Sequence, residues 1–135
     1  MQAGTDSIVS VDDLSLVFPT YHGDVRALSG VTLDVRPGEI VGLVGESGSG
    51  KSVTAMSVIR LLPPGMARFT GGSLSLLGHD MLAIGERALE DIRGKDASMI
   101  FQEPMSALNP TIRIGKQIVQ VIRQHEAISE AEAKK

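Results

Sequence analysis

The sequence contains no cysteine and no tryptophan, and its aromatic residues are three phenylalanines and one tyrosine among 135 residues. Because cysteine is absent, the chain forms neither disulfides nor a thiolate metal site, and its composition fits a reducing compartment such as the cytoplasm. Its 13 basic and 16 acidic residues include no long block of one sign. We therefore expect no nucleic-acid partner and no direct attraction to an anionic membrane.

Long apolar runs are also missing, since none approaches the roughly 20 residues needed to span a bilayer. Residues 1–10 lack the basic and apolar sections of a secretory leader. The chain is nevertheless 42% apolar, which is enough to supply a hydrophobic core. The sequence thus predicts a soluble chain that acts at a membrane only through a partner.

Strand patterns occupy the first third of the chain. Residues 8–18 are strand-like, and Val31, Leu33 and Val35 alternate with polar residues. Both patterns predict half-buried antiparallel strands. After a turn, the nearly continuous apolar run 40–44 predicts a fully buried parallel strand.

A helical pattern follows over residues 53–62. Its polar positions recur every three residues and form one narrow polar stripe of Thr54, Ser57 and Arg60, which predicts a mostly buried helix. Two prolines come directly after Leu62. Because a residue before proline is pushed out of helical geometry, we expect the helix to end there.

Shorter elements alternate over the rest of the chain. Residues 73–77 and 97–101 predict strands, and residues 86–93 predict a short helix that Gly94 stops. A further helix is predicted through about Glu126, with an apolar face of Ile114, Ile118, Val121 and Ile122. Ser129 and Glu132 then form a capping box, which predicts the start of a new helix.

A phosphate-binding loop is predicted at residues 45–52, which match the pattern G-x-x-x-x-G-K-S/T in full. Glycines let backbone amides turn inward toward phosphate oxygens, and the following helix presents its positive end to the same anion. Lys51 is placed to reach the outer phosphates, and the Ser52 hydroxyl to join the shell of a magnesium ion. The predicted cofactor-binding residues of this loop are Gly45, Glu46, Ser47, Gly48, Ser49, Gly50, Lys51, Ser52 and Val53.

A dinucleotide-binding loop is the alternative interpretation of the same glycines. Its pattern, G-x-G-x-x-G, fails at Val53, and Lys51 stands where a pyrophosphate would approach the backbone. A GTPase is disfavoured as well, because no guanine-reading N-K-x-D sequence occurs. The three histidines have no metal-binding spacing.

The sequence Phe-Gln-Glu-Pro at 101–104 resembles the Q-loop of ABC transporter nucleotide-binding subunits. Together with residues 45–54, the stretch 99–110 is similar to the dipeptide, oligopeptide, nickel and glutathione importer group. This resemblance implies an α/β fold: a RecA-like P-loop NTPase core with an antiparallel β subdomain on its N-terminal side, truncated here. It also implies that residues 1–102 are the N-terminal part of the nucleotide-binding domain and that 103–135 begin an incomplete helical subdomain.

The resemblance assigns further site residues and the cofactors ATP and Mg²⁺. Gln102 is implied to be a catalytic residue that positions the attacking water and ligates magnesium together with Ser52. An aromatic residue shortly after the first strand stacks on adenine in this family. We prefer Phe18 for that role, and Tyr21 remains a competitor.

The implied function is that of an ATPase subunit, which couples ATP binding and hydrolysis to transmembrane transport of peptides or a related small solute. Its implied partners are transmembrane permease subunits and a second nucleotide-binding subunit, identical or different, at the cytoplasmic face of the plasma membrane. The family's LSGGQ signature, Walker B strand and switch histidine do not occur in the sequence. We therefore expect the isolated chain to be inactive as an ATPase, and a nucleotide-binding module without hydrolysis is the alternative.

Overall fold

The structure is a computed structural model that describes residues 6–103 and 107–135. Residues 1–5, which belong to the N-terminal segment without a leader pattern, lie outside the described residues. The same is true of Pro104, Met105 and Ser106 in the predicted Q-loop stretch. The chain divides into two compact units, Met1–Gly85 and Glu86–Lys135. The domain boundary predicted after residue 102 stays a prediction.

The first unit is built on a four-stranded antiparallel sheet. In chain order its strands are β1 (Val9–Thr20), β2 (Gly23–Val35), β3 (Arg68–Leu76) and β4 (His79–Asp80), and they lie side by side in the order β2-β1-β3-β4. β1 and β2 form a long hairpin, while β3 pairs with the other edge of β1. The predicted antiparallel strands are therefore confirmed, and β2 begins eight residues before the predicted alternation at Val31.

The core of the first unit is formed mainly by the sheet. Apolar side chains of β1, β2 and β3 are buried there, and each buried Leu or Val stabilises the fold by roughly 1.5–3 kcal/mol. Ile59, at the end of the helix that follows the phosphate loop, and Met81, directly after β4, complete this core. The buried apolar residues of this unit are Val11, Leu14, Leu16, Val17, Leu28, Ile59, Leu74, Leu76 and Met81.

An irregularity bends β1 in its middle. Asp13 has a positive φ of 48°, and the pairing with both neighbouring strands shifts register beside it. Opposite this bulge lies Gly72, with a φ of 86°. A Cβ on Gly72 would lie 2.4 Å from the carbonyl oxygen of Asp13 and 2.5 Å from that of Asp12. The bulge therefore requires glycine at position 72, both for its φ and for the close approach of β1.

The first unit also contains helix α1 (Lys51–Val58), which packs against β2 and β3. It ends before the prolines because Arg60 takes a left-handed φ of 49°. The Arg60 N–H donates to the Ser57 carbonyl at 2.9 Å and the Leu61 N–H to the Met56 carbonyl at 2.8 Å. This pair of bonds is a Schellman motif, so the predicted end at Leu62 is wrong.

The prediction that Thr54 and Ser57 form a solvent-facing polar stripe on this helix is also wrong, because both side chains are buried. Thr54 is 4% exposed and Ser57 is fully buried. Their hydroxyls donate to backbone carbonyls one turn earlier, Thr54 to Gly50 at 3.0 Å and Ser57 to Val53 at 2.7 Å. Since each hydroxyl is satisfied inside the helix, these small residues can face the protein interior without an unpaired polar group.

The predicted parallel strand 40–44 and the predicted short strand 97–101 are absent from the described part of the chain, apart from one isolated bridge between Ala97 and Arg93. Ile40 and Val44 are 98% and 91% exposed, and Ile100 is 91% exposed. An extended segment becomes a strand only when neighbouring strands bond to its N–H and C=O groups. No described strand pairs with either segment. The predictions of a buried parallel strand at 40–44 and of a short strand at 97–101 are therefore wrong for this structure.

The second unit is helical, with α2 (Glu86–Ile92), α3 (Ile114–His125) and α4 (Glu130–Ala133). These helices confirm the three predicted ones. Gly94, with a φ of 86°, follows α2, and a Cβ there would lie 2.7 Å from Nε2 of His125 on α3. Leu89, Ile92 and Val119 are the buried apolar residues of this unit.

The capping box that starts α4 is present as predicted. The Ser129 N–H donates to the Glu132 carboxylate at 2.9 Å, and the Glu132 N–H donates to the Ser129 hydroxyl at 3.3 Å. The Ser129 hydroxyl, which donates to the same carboxylate, and then the Ser129 N–H lower the pKa of Glu132. The predicted apolar face of α3 is largely exposed to solvent, since Ile114, Ile118 and Val121 are more than half exposed.

The bulge geometry predicts unequal costs for alanine at two adjacent glycines of β3. Gly72→Ala should lower the free energy of unfolding by about 2 kcal/mol, because it combines a strained φ with a backbone clash. Gly71→Ala is the matched control, since its Cβ would meet only the Ser15 Cβ at 4.0 Å. Urea unfolding of both variants measures the difference, and equal stabilities would contradict the account of the bulge.

Candidate phosphate-binding site

The predicted phosphate loop connects the exposed segment 40–44 to the start of α1. Gly48 and Gly50 have positive φ values of 79° and 90°. A Cβ on Gly50 would lie 2.9 Å from Cδ2 of Leu28 and 3.1 Å from the carbonyl oxygen of Ala27. Gly50 therefore holds the loop in close contact with strand β2, which residues with a Cβ could not do.

The N-terminus of α1 is free to receive an anion. Gly50 is its N-cap residue and provides no side-chain hydrogen bond to the helix, and no acidic residue occupies the first turn. The first intrahelical bond runs from the Thr54 N–H to the Gly50 carbonyl at 2.8 Å. Unpaired amides and the positive end of the helix dipole together make such a terminus suited to phosphate.

The Lys51 side chain folds back over the loop. Its Nζ donates to the carbonyl of Gly45 at 2.8 Å, to that of Glu46 at 2.6 Å and to the Ser49 hydroxyl at 3.3 Å. Ser49 is close to the start of the loop as well, because a Cβ on Gly45 would lie 2.6 Å from its hydroxyl oxygen. The ammonium thus ties the two ends of the loop together and sits beside the helix terminus.

A cavity of about 310 Å³ opens beside this loop. Its walls come from the end of β1, a segment of β2, the second half of the loop and the start of α1. Of the described residues that line the cavity, two are cationic and none carries a carboxylate, which suits an anionic ligand. These residues are Phe18, Val25, Arg26, Ala27, Gly48, Ser49, Gly50, Lys51, Ser52 and Val53.

The two aromatic candidates for base stacking occupy different surroundings. Phe18 is half-buried, lies opposite Val25 in the β1–β2 hairpin and lines the cavity. Tyr21 is at the hairpin turn, is 99% exposed and lies edge-on to His22. Of the two, only Phe18 is among the lining residues.

Most of the remaining predicted site residues belong to the loop or its cavity. Gly48 to Val53 line the cavity, whereas Gly45, Glu46 and Ser47 form the first half of the loop outside its lining. Gln102 is exposed, in a bend of the second unit. The sequence patterns missed Val25, Arg26 and Ala27, which reach the cavity only because the hairpin brings β2 beside Phe18.

The described residues contain no group of three or more histidines or acidic residues that could hold a metal ion. The Ser52 hydroxyl remains exposed on the first turn of α1. A magnesium ion commonly takes only one or two protein oxygens and completes its shell with phosphates and water. A single hydroxyl at the candidate phosphate-binding helix terminus is compatible with that mode of binding.

The loop before α3 is held together by the side chains of Asn109 and Gln117. Asn109 Oδ1 accepts from the Thr111 N–H at 2.9 Å and from its hydroxyl at 2.7 Å. Gln117 accepts from the Asn109 N–H at 3.0 Å and donates to the carbonyls of Asn109 and Ile112 at 2.9 and 2.7 Å. The stretch at Asn109, which resembles the importer group, thus has a structural role in positioning the start of α3.

The loop that matches the full phosphate-loop pattern directly precedes α1 and lies against strand β2, and the chain has the fold of a phosphate-loop protein. The chain belongs to the ABC transporter family, whose sequence profile matches residues 28–135. That family assignment confirms the resemblance drawn from residues 45–54 and 99–110.

Curated relatives extend the comparison over nearly the whole chain. The chain is 55% identical over 130 residues to the probable D,D-dipeptide transport ATP-binding protein DdpD of Escherichia coli, which covers 96% of the chain and 40% of that protein. It is 44% identical over 128 residues to the oligopeptide transport ATP-binding protein OppD of Bacillus subtilis, which covers 95% of the chain and 36% of OppD. The chain thus spans about two fifths of these relatives' length.

A solved structure matches the fold with a TM-score of 0.77 and 22% identity. It is the dimeric structure of MJ0796, a bacterial ABC transporter cassette, and the match covers 93% of this chain and 52% of that one. This likeness confirms the predicted fold class. Among the described residues, no helix is both long enough and apolar enough to cross a membrane.

The Asn109 contacts predict a local loss of stability when they are removed. Asn109→Ala should lower the free energy of unfolding by about 1 kcal/mol, because two donors of Thr111 lose their acceptor. Asn109→Asp is the matched control, since a carboxylate oxygen can accept both bonds. Denaturant unfolding compares the variants, and an aspartate variant as unstable as the alanine one would contradict the acceptor role.

Proposed function

We propose that the chain is the ATP-binding part of a transport ATPase and that the cavity beside the phosphate loop accepts ATP. The single observation that carries the proposal is the composition of that cavity. An aromatic residue, a glycine-rich loop, a lysine and an uncapped helix terminus line one space of about 310 Å³. Such a cavity is at the lower end of the size of ligand sites.

Each part of the cavity suits one part of the nucleotide. The phosphates bind at the N-terminus of α1, where backbone amides and the helix dipole stabilise their charge. Lys51 moves from the loop carbonyls to the outer phosphates, since an ammonium gains more from a phosphate than from neutral carbonyls. The adenine ring stacks on Phe18, which stabilises the complex by about 1 kcal/mol.

Magnesium and the attacking water are assigned to two oxygen-bearing side chains. Ser52 supplies a hydroxyl to the ion, and Gln102 is proposed as its second protein ligand on the strength of the 101–104 motif. The bound ion neutralises charge on the phosphates. The Gln102 amide both donates and accepts hydrogen bonds, so it can orient a water molecule without removing its proton.

The biological role is proposed from the relatives, which are named as transport ATP-binding proteins for D,D-dipeptides and oligopeptides. We infer that the protein energises transport of peptides or a related solute. Its partners would then be membrane-spanning permease subunits and a second nucleotide-binding subunit. The site of action would be the cytoplasmic face of the plasma membrane.

Lys51→Ala tests the nucleotide site directly. The variant should bind ATP about tenfold to a hundredfold more weakly, because a charge-assisted contact to phosphate contributes about 1.5–3 kcal/mol. Isothermal titration calorimetry with ATP measures the loss. Lys95→Ala, which removes an exposed lysine outside the cavity, is the control and should bind as the unmodified chain does. Equal affinities of the two variants would refute the phosphate-loop assignment.

The isolated chain is expected to bind ATP without hydrolysing it. Phosphoryl transfer depends on positioned charge and an oriented nucleophile, and none of the described residues that line the cavity carries a carboxylate. Phosphate release should therefore not exceed that of the Lys51→Ala variant in a sensitive phosphate assay. Steady release that Lys51→Ala abolishes would instead establish the chain as an ATPase by itself.

A further inference from the structure

We propose that Val25 is a second base-binding residue and that Phe18 and Val25 together form one apolar platform for the nucleobase. This inference rests on the proposed function of the cavity and adds a residue that the phosphate-loop and Q-loop motifs do not include. Both residues line the cavity, Phe18 from β1 and Val25 from β2. The hairpin turn at Tyr21 and His22 separates them in the sequence, so no local motif contains both.

The register of the hairpin places the two side chains next to each other. Phe18 and Val25 are direct partners in the antiparallel pairing of β1 with β2. Residues in that relation point to the same face of a sheet, with Cβ atoms about 4.5–5.5 Å apart. The next pair along, Pro19 with Asp24, points to the opposite face. The Phe18 ring and the Val25 methyl groups are therefore adjacent parts of one apolar surface at the cavity.

The side chain of Val25 is available to a ligand because the core does not use it. Val25 is 54% exposed, whereas Leu28 is the residue of β2 that lies in the apolar core. A lone exposed valine is ordinary on a protein surface. Val25 differs, because it borders a half-buried aromatic ring in a cavity that also contains a lysine and a helix terminus. A flat apolar group that covers Phe18 would also remove part of Val25 from water, which favours binding.

The platform lies at a suitable distance from the proposed phosphate site. On β2, Ala27 is two residues after Val25, which is about 7 Å along a strand. The Ala27 carbonyl is the group that approaches Gly50, the N-cap residue of α1. A ribose can bridge this spacing, so a base on the platform and phosphates at the helix terminus belong to one nucleotide.

This platform differs from Lys51 in the kind of contact that it makes. The side chains of Phe18 and Val25 have no charge and no hydrogen-bonding group, so they hold a base by stacking and apolar contact. Salt screens the contact of Lys51 with phosphate but not these contacts. An aromatic residue opposite a β-branched one is also a stabilising cross-strand pair. Val25 therefore contacts the base and keeps the Phe18 ring in place, and loss of either residue weakens the contribution of the other.

The test is ligand binding by Val25→Ala and Val25→Thr, with tripolyphosphate as the ligand that lacks a base. Threonine keeps the β-branched shape of valine, so Val25→Thr replaces only one methyl group by a hydroxyl. Val35→Thr is the matched control, since it makes the same substitution on the same strand outside the cavity. Calorimetry measures ATP and tripolyphosphate, and competition with ATP measures adenosine. Thermal unfolding of each variant checks that the fold is retained.

We expect Val25→Ala to weaken ATP and adenosine binding by about threefold each, with Val25→Thr intermediate. Tripolyphosphate binding and the salt dependence of ATP binding should not change. In the Phe18→Ala background, Val25→Ala should have a smaller effect, since the two residues act on the same base. Equal losses for ATP and tripolyphosphate would place the effect at the loop and overturn the inference. Fully additive losses in the double variant would overturn it as well.

Lys51→Ala separates this inference from the proposed function. It should weaken ATP and tripolyphosphate binding but not adenosine binding, since a nucleoside has no phosphate. If both Val25 variants bind ATP like Val35→Thr while Lys51→Ala loses affinity, the inference fails and the proposed function stands. If the unmodified chain binds neither ATP nor tripolyphosphate, the proposed function itself fails.

Discussion

The close approach of Gly50 to strand β2 is the constraint on which the candidate site depends. At this position the backbone has a φ of 90°, and a Cβ would come within 3.1 Å of the Ala27 carbonyl and 2.9 Å of Leu28. Only glycine satisfies both conditions without strain. The contact fixes the loop and the first turn of α1 against the hairpin, so that the glycine-rich loop and Phe18 line one cavity.

The packing of helix α1 also supports this arrangement. A helix that packs its face through Thr54 and Ser57 can lie close to its neighbours, since both side chains are small and satisfy their hydroxyls on the helix itself. The uncapped N-terminus of the same helix stays at the cavity. The same packing of α1 therefore buries one face of the helix and leaves its N-terminus at the cavity.

Features encoded by contiguous residues could be predicted from the sequence. The glycine-rich loop before α1 is eight consecutive residues, the capping box at Ser129 spans four, and Gly94 lies two residues after the last residue of α2. Each depends on local φ preferences and hydrogen bonds, which residue type determines. The contribution of β2 to the cavity could not be predicted in this way. It depends on which residue of β2 lies opposite Phe18, and the register of the hairpin shifts between Leu16 and Val17.

The incorrect predictions have the same physical origin. An apolar run such as 40–44 specifies a tendency to be buried, but strand formation also needs partners for its backbone groups, which alternation cannot identify. The end of α1 is similar, because the left-handed Arg60 terminates it before the prolines can. Thr54 and Ser57 have polar side chains, but they can be buried because their hydroxyls donate hydrogen bonds to carbonyls of the preceding turn. Local chemistry thus defines the phosphate site, whereas the burial of its surroundings is decided by pairing between distant segments.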